Sequence, residues 1–212
     1  MQKIFRDGSN VNAIILMIEF KKDINKVLPY DRRSYIAFRE VDSTIKWYGV
    51  SFQLAGVSEG KKISLTEYVA IYERLFKNVV MQLDNGSSWI VNHDDKDLKW
   101  LPNDDDNLTH LRNLFKQKNI SNTFKGALIF TKDDLLKFSK ELILYPYAVL
   151  SKEGFLYKNL DISHGELQFI LKISGHLNID FLSTDKKLLK EVVNKNSSRS
   201  FIVKEYRGTS LL

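Results

Sequence analysis

Between Ile63 and Leu83 the apolar residues Leu65, Tyr68, Val69, Tyr72, Leu75, Phe76, Val79, Val80 and Leu83 recur every three or four positions. That is the period of one buried helix face. The run opens on Ile63-Ser64-Leu65-Thr66-Glu67-Tyr68, where Ser64 suits an N-cap, Glu67 its reciprocal partner, and Ile63 with Tyr68 a hydrophobic staple. It stops at Asp84-Asn85-Gly86. Leu108, Leu111, Leu114 and Phe115 predict a second helix, entered from Asp104, Asp105 and Asp106, whose charge suits a helix N-terminus.

Elsewhere the apolar positions alternate or run together. Tyr35 to Val41 and Thr44 to Leu54 flank Asp42-Ser43 as a hairpin, and Ser88 to Asn92 and Leu98 to Leu101 flank Asp94-Asp95-Lys96-Asp97 as another. Ala13 to Phe20 reads as a buried strand or a short helix. In the second half, residues 131–137 (Thr-Lys-Asp-Asp-Leu-Leu-Lys) and 184–190 (Thr-Asp-Lys-Lys-Leu-Leu-Lys) each follow an apolar stretch, Ala127 to Phe130 and Ile179 to Leu182. Both predict a strand feeding a Thr-capped helix, which returns to an apolar strand at Tyr145 to Leu150 or Phe201 to Val203. Phe155 to Tyr157, Leu167 to Ile173 and Leu177 to Phe181 read as strands divided by turns. Ser163-His164-Gly165-Glu166 also matches a capping box, so Glu166 to Ser174 has a helix as its alternative. The Ser174-Gly175 turn between two alternating runs favours strand. The expectation is an α+β fold, mostly antiparallel sheet with about four helices, either as two similar-sized units (residues 1–103 and 104–212) or as one continuous domain.

Composition narrows the classes. The chain of 212 residues is 43% hydrophobic, enough for a core without staples, and has no Cys. Disulfide frameworks, thiol nucleophiles, zinc-thiolate sites and iron–sulfur clusters are therefore excluded, and a reducing, cytoplasmic setting is the expectation. The longest apolar run, Ala13 to Ile18, falls far short of the roughly 20 residues of a membrane span. The chain reads as unprocessed, with no membrane association. Lys, Asn, Ile and Leu are abundant, in the manner of AT-rich bacterial genes.

The formal charge of +6 and pI near 9.3 invite a nucleic-acid reading. Net charge over residues 1–40, 41–83, 84–106, 107–160 and 161–212 is +3, +1, −5, +5 and +2. Basicity spread this evenly suits a solvated surface better than a phosphate-tracking groove. The uneven feature is the acidic island, where seven Asp face two Lys.

Candidate chemistry is sparse. Asp7, then Glu19-Phe20-Lys21 after an apolar run, resembles the Asp…Glu-x-Lys core of restriction-endonuclease-like nucleases. The resemblance covers residues 7–21 and implies that Asp7 and Glu19 hold Mg²⁺ while Lys21 orients the attacking water. It departs from that family in the upstream helix with its supporting Glu, since six residues precede Asp7. In the island, Asp94, Asp95, Asp97, Asp104, Asp105 and Asp106 lack the spacing and the turning Gly of a calcium loop, so turn formation and helix capping account for them without a metal. His93, His110, His164 and His176 form no zinc motif, and no phosphate-binding loop, dinucleotide fingerprint or nucleophile elbow is present. Trp47, Trp89 and Trp100 suit either interface anchors or a core under the Ser64 helix.

With no catalytic constellation and no cofactor motif, the sequence points to a module that binds and occludes another protein, of the inhibitor or immunity type. The six Asp of the island are the expected contact residues, steering a toxin or similar partner. A metal-dependent nuclease or other nucleic-acid-processing protein is the alternative, and a phage or mobile-element accessory protein binding a host factor is the third reading.

Overall fold

The computed structural model describes residues 17–37, 46–58, 60, 62–94, 97–102, 106–149, 159–206 and 211. The elements in chain order are β1 (Glu19–Lys21), α1 (Arg32–Ala37), β2 (Tyr48–Leu54), α2 (Ala55–Ser58), α3 (Leu65–Gln82), β3 (Trp89–His93), α4 (Thr109–Gln117), β4 (Ala127–Phe130), α5 (Lys132–Lys137), α6 (Ser139–Ala148), β5 (Leu160–His164), β6 (Phe169–Ser174), β7 (Asn178–Ser183), α7 (Lys186–Asn196) and β8 (Phe201–Glu205). Short 3-10 turns at Ile24–Lys26 and Asp106–Leu108 precede α1 and α4. The fold is α+β.

The eight strands form one antiparallel sheet in the order β1-β4-β3-β5-β6-β7-β2-β8. Strands from both sides of residue 103 intermingle within it. One face is covered by helices: α6 lies over β5 and β6, α7 over β7 and β2, and α3 packs along both helices. Alternation along each strand supplies that face. Val50, Phe52 and Leu54 of β2, Phe169, Leu171 and Ile173 of β6, and Ile179 and Phe181 of β7 point under the helices and join the main core with Tyr68, Tyr72, Phe76 and Val79 of α3.

The Ser64 cap holds, with Glu67 N–H donating to Ser64 Oγ at 3.2 Å. The predicted stripe of α3 is buried or half-buried except at its first member, Leu65, which is 45% exposed. Thr131 caps α5, accepting from Asp134 N at 3.2 Å. At the second repeat the cap is Asp185 instead of Thr184, accepting from Leu188 N at 3.0 Å. Thr184 Oγ1 donates to Gln168 Oε1 at 2.8 Å, which tethers the chain to the β5–β6 loop before the helix begins.

Four further expectations are corrected. Tyr35 to Ala37 is the end of α1, not the start of a strand, because Tyr35 packs its ring on Tyr30 and Trp47 from a helical turn. The rest of that predicted hairpin arm, residues 38–45 with the Asp42-Ser43 turn, lies outside the described residues. Leu98 to Leu101 forms no strand. Trp100 N–H and Leu101 N–H donate instead to Phe124 O at 3.0 Å and Asn122 O at 3.2 Å, which ties this loop to the approach to β4. Tyr145 to Ala148 is the last turn of α6, because Leu142, Ile143 and Tyr145 bury against the core at helical spacing. Trp47 does not share a face with Phe52, Trp89 and Trp100. All three Trp are buried, but Trp47 packs on the far side of the sheet with Tyr30, Tyr35, Ile170 and Leu182. The strand reading of 166–174 holds in β6, and Phe155 to Tyr157 lies outside the described residues. Of Ala13 to Phe20, the described part begins at Met17, and β1 takes up Glu19 and Phe20.

Among the described residues the far side is covered only in part. Residues 24–37 cross it as a strap, with Ile24, Val27 and Leu28 on Ile90, Ala127 and Ile129, then Tyr30 and Tyr35 on Ile170 and Leu182. At its edge Gly126 has φ +136, and a Cβ there would meet Lys21 O at 2.3 Å, so only glycine admits the β1 backbone so closely.

Candidate functional site

Beyond the strap, the far face is polar. The strand register aligns Asn92 with Asp161, Asp161 with Lys172, Lys172 with Asp180, Asp180 with Ser51 and Ser51 with Lys204. This row crosses six strands, and all of it except Lys204 is buried. Each member stands where alternation turns its strand away from the helices. Burying so many polar groups costs free energy unless they satisfy one another.

Most of them do so. Lys172, 3% exposed, donates to Tyr35 OH at 3.0 Å and Asp94 Oδ2 at 3.3 Å, with Asp161 Oδ1 at 3.7 Å. Burial pushes the Asp161 carboxyl above the usual carboxylate range against the pull of Lys172, and Asp94 adds to the push. Arg32 of the strap donates to the carbonyls of His93 and Asp94. Asp180 accepts from Tyr206 OH at 2.6 Å and from Asn178 Nδ2, and burial with the adjacent Asp180 charge raises the Tyr206 hydroxyl. The Tyr206 ring reaches this position because it lies on Gly49, where a Cβ would meet the ring at 3.0 Å.

A cleft of about 420 Å³ opens over the row, lined by Ser51, Gln53, Lys172, Asn178, Asp180, Lys204 and their neighbours. The β6–β7 turn, Gly175-His176-Leu177, forms part of its rim. Leu177 has φ +60, uncommon for a bulky residue and costing about 1–3 kcal/mol. Two tyrosines hold it there: Leu177 N–H donates to Tyr147 OH at 2.9 Å, and Tyr72 OH donates to Leu177 O at 3.0 Å. Asn159 Oδ1 accepts from Gly175 N at 3.1 Å, and Ser174 Oγ from His176 N at 3.1 Å.

The residues singled out in the sequence are scattered. Glu19 and Lys21 sit on β1, both exposed, and pair with each other at 2.6 Å. Asp7 lies outside the described residues, as do Asp95, Asp104 and Asp105. Asp94 turns inward to Lys172 and to Asn159 Nδ2 at 3.0 Å. Asp97 is exposed, on a separate open cleft of about 730 Å³ beside Lys22 and Lys125. Asp106 begins the turn before α4. Among the described residues no three His, Cys, Asp or Glu side chains group as a metal-holding set, and no helix is long and apolar enough to cross a membrane.

Sequence reasoning missed Asp161, Lys172 and Asp180. Part of the signal was present, as one charge in each of the apolar runs Leu167 to Ile173 and Leu177 to Phe181, whereas Leu160–His164, which carries Asp161, was not read as a strand.

Fold and site together define an α+β protein with a helix-covered antiparallel sheet and a polar cleft on its opposite face. No known protein family, curated protein or solved structure matches the chain.

Proposed function

We propose that the protein is a binding module without catalysis of its own, an inhibitor- or immunity-type chain that occludes a protein partner through the polar cleft. The observation that carries this reading is the row from Asn92 to Lys204. Its buried charges are committed, Lys172 to Asp161 and Asp94 and Asp180 to Tyr206 and Asn178, so the floor presents directional hydrogen-bonding groups held in place, which suits recognition. The contact centres on the cleft more than on the acidic island, because Asp94 is already committed to Lys172.

The test is affinity capture from the native host with three baits: wild type, Gln53→Trp, which fills the cleft, and Lys190→Glu, an exposed change on α7. A stoichiometric partner held by wild type and Lys190→Glu but lost by Gln53→Trp is the expected result. Absence of a saturable partner, or a partner indifferent to Gln53→Trp, overturns it.

A further inference from the structure

The partner's contact group follows from which groups in the cleft remain uncommitted. Asp180 accepts from Tyr206 and Asn178, and Glu205 is engaged as well. Lys204, the Gln53 amide and the His176 imidazole line the same cleft, and their side chains carry no ion pair or hydrogen bond among the described residues. The spare capacity therefore includes three donors, the Lys204 ammonium, the Gln53 NH2 and an imidazole N–H, of which the ammonium carries a full positive charge; the acceptors left beside them are neutral. The turn that carries His176 is held by Tyr147, Tyr72, Asn159 and Ser174, so little freedom is lost when a ligand meets it.

We propose that the cleft receives an acidic side chain, an Asp or Glu carboxylate of the protein partner, between Lys204 and His176, with Gln53 as a further donor. This rests on the protein-binding reading. The volume of about 420 Å³ lies within the range of roughly 300–1,000 Å³ typical of ligand sites. Charge-assisted hydrogen bonds to a carboxylate are the strongest use of these donors.

The experiment titrates ¹⁵N-labelled protein with N-acetylated triglutamate amide, with trilysine amide and with orthophosphate, following the amides of Gly175, His176, Asn178 and Lys204. Triglutamate should shift these amides and trilysine should not. Lys204→Met should weaken triglutamate at least tenfold, and Lys204→Glu should abolish its binding. The proposal is overturned if triglutamate leaves these amides unmoved, if orthophosphate moves them equally, or if Lys204→Met changes nothing. A captured partner that is lost by Gln53→Trp but indifferent to Lys204→Glu would sink this inference alone, whereas no captured partner would sink the reading beneath it.

Discussion

Ser64 and His164 show how single side chains complete backbone hydrogen bonding. Ser64→Ala removes the acceptor for Glu67 N–H and should cost about 0.5–2 kcal/mol in urea denaturation. An unchanged midpoint would mean that water caps α3 equally well. His164 is buried, with Nδ1 accepting from Glu166 N at 3.1 Å and Leu167 N at 3.0 Å, so its proton sits on Nε2 facing Leu83 O at 3.1 Å. Burial holds the imidazole below its ordinary value. Below about pH 6.5 the unfolded chain then binds a proton that the folded chain refuses, and stability falls with acidification. The urea midpoint should drop between about pH 7.5 and 5.5 in wild type, and less in His164→Gln. The Ser64 cap was legible because capping is local. The role of His164 was not, since its partner Leu83 is remote in sequence.

At the scale of elements, the charged row sets a pH dependence of the opposite sign. The Asp161 carboxyl is raised in the fold, so its favourable contribution is full below about pH 3.9 and is lost as pH rises through the folded value. Asp161→Asn, which never ionises, should therefore gain on wild type between about pH 4 and pH 8 in paired urea titrations. A difference that stays flat would show that Lys172 fully compensates the buried carboxylate. Most strands that carry this row were legible from their apolar runs, including β6 over its helical alternative, but β5 was not, because Leu160–His164 mixes Asp161, Ser163 and His164 with only two apolar residues. Their order in the sheet was not, because pairing β7 with β2 and β4 with β1 joins segments far apart in sequence.

Across the whole molecule, one sheet draws its strands from both sides of residue 103. Neither half can complete its hydrogen-bond ladders alone, so unfolding should be a single cooperative transition. Tryptophan fluorescence and far-UV circular dichroism should give coincident urea curves, and separated curves would reveal independently stable units. By itself the sequence determined the α+β class, the long α3 helix with its cap, most of the strands and the absence of cysteine chemistry, because periodicity, capping and composition act within a few residues. Tertiary structure alone decided that Tyr145 ends a helix, that Trp47 lies opposite the other tryptophans, and that Asp161, Lys172 and Asp180 meet in one row. Those outcomes depend on strand register and on which face each segment finds covered, and both are settled by contacts between residues distant in the chain.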